Sequence, residues 1–234
     1  MRLRHIKNAE SLVYDIKYLI NEKQVDEESI KFLNEDKPLY IEIGMGKGDF
    51  IKAAAKKFPD INFIGIEKFA SIIIKANKKI DNEEYKNLRL MCIDAAYLPE
   101  FFKNIGGREV KVDKIILNFS DPWPKRKNEQ RRLTSKTFLD IYKKILKEDG
   151  EIEFKTDNKE FFDYSLNSFT KDNWKILEIN YDIHEIEMLK ENLSKESKTF
   201  EDYFETKLMT EYEKKFTKKG NKICFVKVKK QWRN

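Results

Sequence analysis

The sequence predicts an α/β fold in which a mostly parallel sheet is covered by helices on both faces. From Pro38 onward, short apolar runs alternate with segments whose apolar residues recur at helical spacing. Parallel strands need such crossover helices, and strands that are buried on both faces are continuously apolar. The 234 residues are 40% hydrophobic and 38% charged, which suits a folded core beneath a very polar surface.

Seven apolar runs are predicted to be strands. They are residues 39–43, 61–66, 88–93, 114–118, 151–154, 175–181 and 223–228. Four intervening segments are predicted to be helices. They are residues 49–57, 70–80, 135–146 and 158–169. Gly150 is expected to end the third helix, because glycine readily takes the left-handed conformation of a helix C-terminus.

The two remaining regions flank or interrupt this alternation. Residues 1–36 are predicted to form a basic N-terminal arm and a helix, with Leu12, Ile16 and Leu19 at helical spacing. Residues 183–209 are rich in glutamate and lysine and are predicted to be a helical excursion over one sheet edge. Since no repeat or linker separates these parts, we expect a single domain over residues 1–234.

Composition narrows the possible partners. Lys+Arg 47 against Asp+Glu 41 gives a net charge of +6, which favours an acidic partner such as nucleic acid, although a lysine-rich composition alone would give the same excess. With only two cysteines and two histidines, the chain offers almost nothing from which to build a metal site or a Cys/His nucleophile pair. No apolar run has signal-peptide or membrane-spanning character, so we predict a cytoplasmic protein without membrane contact.

A glycine-rich turn follows the first predicted strand. Gly44, Gly46 and Gly48 follow the pattern G-x-G-x-G, which differs from the G-x-G-x-x-G of dinucleotide enzymes and from a phosphate-binding loop. Glycines there allow a tight turn and let a ligand approach the backbone. Glu42, directly before the turn, suits a cationic ligand better than a pyrophosphate, which it would repel.

Three further carboxylates follow the next predicted strands. Glu67, Asp94 and Asp121 come at or near the ends of the second, third and fourth strands. Open α/β sheets bind ligands at the carboxyl ends of their strands, so Glu67 is placed to hold a ribose diol and Asp94 an exocyclic amine. The alternative for each acid alone is a helix N-cap or a solvated loop residue.

The loop after the fourth strand combines one acid, one indole and a cluster of cations. Pro122 and Pro124 exclude helix and sheet, so Asp121 and Trp123 are expected on a stiff, extended loop. The predicted polyanion-binding side chains follow at once and are Lys125, Arg126, Lys127, Asn128, Arg131 and Arg132. A rigid turn with a solvated charged face is the alternative. Trp123 could stack on a base or fill a hydrophobic gap under the loop.

These motifs resemble a known family. The glycine turn and the three strand-end acids resemble the Rossmann-like class I S-adenosylmethionine-dependent methyltransferases. The run from Phe119 to Lys125, Phe-Ser-Asp-Pro-Trp-Pro-Lys, is similar to the signature of bacterial tRNA (guanine-N7)-methyltransferases. Phe-Lys-Thr-Asp-Asn at 154–158 and Met-Thr-Glu-Tyr-Glu at 209–213 are similar to two further motifs of that family. The chain departs from it at 127–130, where the usual histidine is missing.

The resemblance implies S-adenosylmethionine as cofactor and tRNA as partner. It implies that the glycine turn faces the methionine part of the cofactor, that Glu67 binds its ribose, and that Asp94 and Ala95 bind its adenine. Asp121 is then the catalytic acid beside the cofactor, while Asp157, Thr210 and Glu213 join Lys125 around the guanosine. Asp157 could equally be a helix N-cap. The implied target is guanosine 46 of the variable loop, and the sequence leaves open a monomer or a homodimer.

The chemistry suits a chain that has no histidine other than His5 and His184. Guanine N7 carries a lone pair and no proton, so its attack on a sulfonium methyl needs no general base, and a carboxylate such as Asp121 would stabilise the positive charge that the base gains. Two rivals stay open, a methyltransferase of this fold on another substrate and a non-catalytic RNA-binding module. A nicotinamide oxidoreductase is disfavoured by the glycine spacing and by Glu42.

Overall fold

The computed structural model describes residues 5–80, 85–184 and 208–231, and its centre is one eight-stranded sheet. The strands are β1 (Leu19–Ile20), β2 (Leu39–Ile43), β3 (Asn62–Ile66), β4 (Leu88–Met91), β5 (Val112–Asn118), β6 (Leu146–Thr156), β7 (Lys175–Asn180) and β8 (Cys224–Lys229). Their spatial order is β1-β4-β3-β2-β5-β6-β8-β7. All neighbours from β1 to β6 are parallel, whereas β8 is antiparallel to both β6 and β7.

Helices cover both faces of the sheet. They are α1 (Ala9–Leu12), α2 (Glu27–Leu33), α3 (Asp49–Lys57), α4 (Ala70–Ile80), α5 (Leu98–Phe102), α6 (Lys136–Ile145), α7 (Lys159–Lys171) and α8 (Glu211–Thr217). One core lies beneath α2, α5, α6 and α7, and the other lies beneath α1, α3 and α4. Alternate residues of β5 serve the two cores, Ile115 and Leu117 the first and Ile116 the second. The predicted doubly covered, mostly parallel sheet is confirmed.

The extra strand β1 corrects two predictions, the count of seven strands and the helix over residues 11–20. α1 ends at Leu12, a 3-10 turn follows over Val13–Asp15, and Ile16 is already extended. Leu19 and Ile20 then pair with Leu90 and Met91 of β4. The helical spacing gave a wrong prediction for two reasons. Leu12 is 45% exposed and so does not belong to a buried helix face. The adjacent Leu19 and Ile20 enter opposite cores, which is the alternation of a strand.

Gly150 lies inside β6 and does not terminate a helix. α6 ends at Ile145 and β6 begins directly at Leu146. The pairing with β5 shifts between Val112 and Lys114, so the start of β6 is irregular. A Cβ atom at Gly150 would come within 2.8 Å of the Leu146 side chain, so close packing explains the glycine.

Parts of two predictions lie outside the described residues. These are the tip of the basic arm at residues 1–4 and most of the charged excursion, residues 185–207. The short helices α2 and α5 were not delimited by the sequence pattern, and the single-domain organisation stays a prediction. Within the described ranges, no helix has the length and apolar character needed to cross a membrane.

Candidate active site

The predicted site acids come together at one edge of the sheet. β2 and β5 are adjacent and parallel, and the chain continues from them to opposite sides of the sheet. Such a reversal of strand order opens a crevice at the carboxyl ends of the strands. Glu42 lies in β2, Glu67 directly follows β3, and Asp94 and Asp121 each come three residues after β4 and β5. The topology therefore gathers the four acids at this crevice.

The glycine turn after β2 requires glycine for conformational reasons. The φ angles are +79° for Gly44, +56° for Gly46 and +75° for Gly48, in the region that other residues avoid. The N–H groups of Gly44 and Met45 both donate to the Ile66 carbonyl, at 2.8 and 3.1 Å, which fixes the turn against the end of β3. A Cβ atom on Gly46 would meet nothing within 4 Å, so this part of the turn faces open space.

Glu42 is a buried acid with one unused oxygen. Its side chain is 2% exposed, and its Oε1 accepts a hydrogen bond of 2.9 Å from Asn118 Nδ2 of β5. Its Oε2 is buried and has no hydrogen-bond partner among the described residues. Burial raises the pKa of Glu42 to about 8, against the opposing effects of Asn118 and the Lys155 charge. Without a ligand this carboxyl therefore keeps its proton near neutral pH, and a cationic ligand beside it would favour the ionised form.

Glu67 and Asp94 each turn one oxygen toward the local backbone. Glu67 Oε1 accepts the N–H groups of Lys68 at 2.9 Å and Phe69 at 3.3 Å, and burial raises the pKa of this carboxyl. Asp94 Oδ1 accepts from Ala96 N at 3.0 Å and caps the 3-10 helix Ala95–Tyr97. Asp94 is therefore an N-cap, as the alternative reading of this acid predicted. Each acid keeps a second oxygen that these bonds do not engage.

Asp121 lies on a loop that is irregular but not extended throughout. Phe119 and Trp123 have φ angles of +53° and +41°, which are uncommon for residues other than glycine. The expectation of an extended loop at Asp121 and Trp123 is therefore corrected at Trp123. Asp121 itself is exposed, and none of the residues that the structure describes forms a hydrogen bond or an ion pair with its carboxylate. Its charge is thus available to a ligand.

Both ends of this loop are anchored. Phe119 N donates to the Lys155 carbonyl at 2.9 Å, and the Phe119 ring lies 5.0 Å from the Tyr212 ring. At the other end, Arg132 Nε donates to the Pro122 carbonyl at 2.8 Å, and Arg132 Nη2 donates to the Trp123 carbonyl at 3.2 Å. The Asp121 segment is therefore suspended between two fixed points.

Trp123 is half-buried and carries a cation on its ring. The Arg131 guanidinium lies 5.1 Å from the centroid of the indole. This is within the range of a cation–π interaction. Trp123 is thus neither a fully buried plug nor an unoccupied stacking platform in this structure.

The predicted basic cluster is organised by a 3-10 helix over Arg126–Arg131, which the sequence pattern had not indicated. Lys125, Arg126 and Lys127 are exposed and form no ion pair with any described residue, and Asn128 is half-buried. Arg126 and Lys127 also border a groove of about 690 Å³ between this helix and α7. The helix therefore presents unneutralised positive charge beside the Asp121 loop.

Asp157 is not the N-cap of α7. Asn158 holds that position, because its Oδ1 accepts from Phe161 N at 2.8 Å. Asp157 Oδ2 instead accepts from the Tyr212 hydroxyl at 3.2 Å and from Asn221 Nδ2 at 3.4 Å. Burial and the Asp157 charge raise the pKa of Tyr212 to about 12. The N-cap alternative for Asp157 is wrong, and the acid faces the same side of the sheet edge as α8.

Thr210 and Glu213 cap each other at the start of α8. Thr210 Oγ1 accepts from Glu213 N at 2.9 Å, and Glu213 Oε2 accepts from Thr210 N at 3.4 Å. Glu213 is fully buried, with Lys155 Nζ 3.7 Å from its Oε2 and His184 Nε2 3.1 Å from its Oε1. The last contact has ion-pair distance without hydrogen-bond geometry. The two side chains do not lie open on one helical face, so direct contact of Glu213 with a base stays a prediction.

Three polar residues of this site escaped the sequence reasoning, namely Asn118, Lys155 and His184. Asn118 and Lys155 had one usable signal, since both are polar side chains within or at the end of apolar strands. His184 had none, because only the fold brings it to Glu213.

Comparisons with known proteins agree with this geometry. A family model described as "Putative methyltransferase" matches residues 36–226. A tRNA (guanine-N(7)-)-methyltransferase of Geobacillus sp. (strain WCH70) is 43% identical over 199 residues, covering 85% of this chain and 81% of the relative. One from Bacillus cytotoxicus is 40% identical over 231 residues, covering 98% and 97%.

A solved structure is similar in fold. It is the structure of an antibiotic-related methyltransferase, and the match covers 92% of this chain and 99% of the other chain with a TM-score of 0.59. At 17% sequence identity, this likeness shows the fold alone. The fold, the motifs and the sequence relatives agree, and the chain belongs to the bacterial tRNA (guanine-N7-)-methyltransferase family of class I methyltransferases.

Proposed function

We propose that this protein is a tRNA (guanine-N7-)-methyltransferase that transfers the methyl group of S-adenosylmethionine to N7 of guanosine 46 in the variable loop, forming 7-methylguanosine. One observation carries the proposal. The exposed Asp121 follows the end of β5, where Asn118 binds Glu42, and it directly precedes the segment that forms the basic 3-10 helix Arg126–Arg131. An acid there can face a reacting base while neighbouring cations hold its phosphates. The tRNA substrate also implies action in the cytoplasm.

The crevice fits the cofactor by the chemistry of its donor set. When bound, S-adenosylmethionine supplies a methyl group on a positively charged sulfur. The unused Oε2 of Glu42 is buried beside the glycine turn, where the cationic methionine portion would lie, and that charge would favour the ionised form of the carboxyl. The remaining oxygen of Glu67 suits the ribose hydroxyls. Asp94 and the backbone at Ala95 suit the adenine edge.

Asp121 acts on charge and position. Guanine N7 has no proton to lose, so the reaction requires no general base. As the methyl transfers, the base becomes positive, and a fixed carboxylate close to it lowers the free energy of the transition state. The same carboxylate can accept N–H groups of guanine and so orient N7 toward the methyl. Asp157, Thr210 and Glu213 would join Lys125 around the guanosine.

The basic surface provides affinity that does not depend on sequence. Lys125, Arg126, Lys127 and Arg131, with Asn128 as a neutral donor, would contact the phosphates on either side of the target nucleotide. Each neutralised phosphate releases counterions, so binding weakens with added salt. Because A-form helices hide the N7 edge in a narrow groove, the target must be a loosely stacked base, as in a variable loop.

Transfer of radiolabelled methyl groups tests this function. The purified protein is incubated with labelled S-adenosylmethionine and two tRNA transcripts, one unmodified and one with adenosine in place of guanosine 46. We expect label in 7-methylguanosine for the first transcript only. Label in another nucleoside, or equal label in both transcripts, would refute the assigned target. Tight tRNA binding without any label would favour the non-catalytic RNA-binding module.

A further inference from the structure

Arg132 differs from the other cations of its cluster in the direction of its side chain. Lys125, Arg126 and Lys127 are exposed, whereas the guanidinium of Arg132 is turned toward the protein. It binds the carbonyl oxygens of Pro122 and Trp123 at 2.8 and 3.2 Å. Nε and one N–H of Nη2, the pair that would form a side-on bidentate contact with a phosphate, are therefore already engaged.

The same guanidinium lies on α7. Its central carbon is 4.1 Å from the centroid of the Tyr164 ring and 5.8 Å from that of Phe161. An arginine can do both tasks at once, because its planar fork donates in the plane and stacks through its face. A lysine ammonium has neither the fork nor the flat face. The chemistry of this contact thus calls for arginine specifically.

The carbonyls that Arg132 holds belong to a segment with little other support. Pro122 and Pro124 have no N–H groups, and Trp123 has a left-handed φ of +41° just before a proline. The strand pairing that carries the segment ends at Phe119, whose N–H binds Lys155. Between these points lies Asp121, with no bond to the described residues. Its location depends on the two anchors.

We propose that Arg132 is a positioning residue for the methyl transfer and not a phosphate contact. By chelating two carbonyls next to Asp121 and stacking on α7, it fixes the catalytic carboxylate relative to the helix that follows Asp157. This inference rests on the proposed function and departs from the sequence-based assignment of Arg132 to RNA binding. A small displacement of Asp121 would lower the rate far more than the affinity.

Kinetics of three variants separate positioning from phosphate binding. We expect Arg132→Ala to lower kcat by about 100-fold, the scale associated with an ångström of misplacement, with KM for tRNA within about twofold of wild type. Arg132→Lys keeps the charge, but its kcat should stay below about a tenth of the wild-type kcat. Arg126→Ala is the comparison, and it should raise KM and reduce the salt dependence of binding by about one phosphate contact.

Lys175 provides a matched cation far from the site, at the opposite end of β7 from the crevice. Lys175→Ala should match wild type in every assay, which controls for net charge. Full rescue by Arg132→Lys would overturn the proposal. So would a reduced salt slope in Arg132→Ala with kcat retained.

Limited trypsin digestion tests the loop without any activity. Cleavage after Lys125 and Lys127, followed by mass spectrometry, should be about tenfold faster in Arg132→Ala than in wild type, and equally slow in Lys175→Ala. An unchanged cleavage rate would show that Arg132 does not hold this loop and would overturn the proposal. If the wild-type protein binds tRNA but transfers no methyl group, the proposed function fails. Faster cleavage of Arg132→Ala with an unchanged salt slope would still show that Arg132 fixes the loop and does not bind phosphate.

Discussion

Asn118 and Glu42 join the two central strands at the point where the sheet order reverses. The Asn118 amide at the end of β5 donates to the Glu42 carboxyl of β2 over 2.9 Å, and both side chains are buried. The bond occupies one Glu42 oxygen and leaves the other buried without a partner among the described residues. A strand end near Asp121 is thereby tied to the proposed cofactor site.

The first prediction concerns Asp121. Because Asp121 is exposed and its loop is held by Phe119 and Arg132, Asp121→Asn should keep the structure while removing the charge. We expect kcat to fall by about 10²- to 10³-fold, as when one preorganised electrostatic group is lost. S-adenosylmethionine binding, measured by calorimetry, should remain detectable. Turnover equal to wild type would remove Asp121 from the mechanism.

A second prediction follows from the burial of Glu42. The pKa of Glu42 is about 8 in the folded protein, whereas its ordinary value is 4.5. Between these two pH values, the folded state keeps a proton that the unfolded state has already lost. The cofactor-free protein should therefore lose stability as pH rises from about 4.5 to 8, by about 1.4 kcal/mol for each unit of pKa difference.

Urea unfolding at several pH values measures this effect. Glu42→Gln keeps the neutral form and should flatten the pH profile over that window. A slope that is the same in the variant and in wild type would show that Glu42 ionises normally in the folded protein.

The third prediction concerns the basic 3-10 helix. Arg126 and Lys127 are exposed and unpaired among the described residues. Replacing both by alanine should weaken tRNA binding at low salt and reduce the slope of log K against log[salt] by about 0.7 to 0.9 for each lost contact. Filter binding between about 50 and 200 mM salt measures the slope. The Lys175→Ala protein is the reference, and equal slopes would make this helix a solvated face.

The fourth prediction addresses the buried pair of Lys155 and Glu213. Both side chains are almost fully buried, and their charged atoms are 3.7 Å apart. Glu213→Ala leaves the Lys155 charge without this partner and breaks the cap of α8, so we expect a loss of about 3 kcal/mol in unfolding free energy. Glu213→Gln preserves the cap and should lose less. A loss below about 0.5 kcal/mol in the alanine variant would contradict this role.

Periodicity predicted the fold where apolar runs were long. The strand at Leu39–Ile43 and the helices at Asp49–Lys57 and Ala70–Ile80 have the predicted bounds, because their residues enter the cores at regular intervals. It failed at Leu19–Ile20, since a two-residue strand has no period of its own and gains its identity from pairing with β4. Local pattern does not report such a tertiary contact.

The site divides in the same way. Acids at strand ends were predictable, since topology alone brings Glu67 and Asp94 to one edge. The environment of Glu213 and the direction of Arg132 were not, because charge in a sequence does not tell whether a side chain faces solvent, a carbonyl or a buried lysine. The spatial neighbours of a side chain decide this, and they are distant in the sequence. Lys155 is 58 positions from Glu213, and Tyr164 is 32 positions from Arg132.

Ile183 and His184, which follow β7, contact residues from a later part of the chain. Ile183 N binds the Ile223 carbonyl at 3.0 Å, and His184 lies 3.1 Å from Glu213. When two points of a chain are held by contacts of their own, the segment that joins them need not have one particular length, because the entropy of loop closure grows only slowly with length. This position is therefore where evolution, or an engineer grafting a foreign module, could lengthen the enzyme without disturbing its sheet.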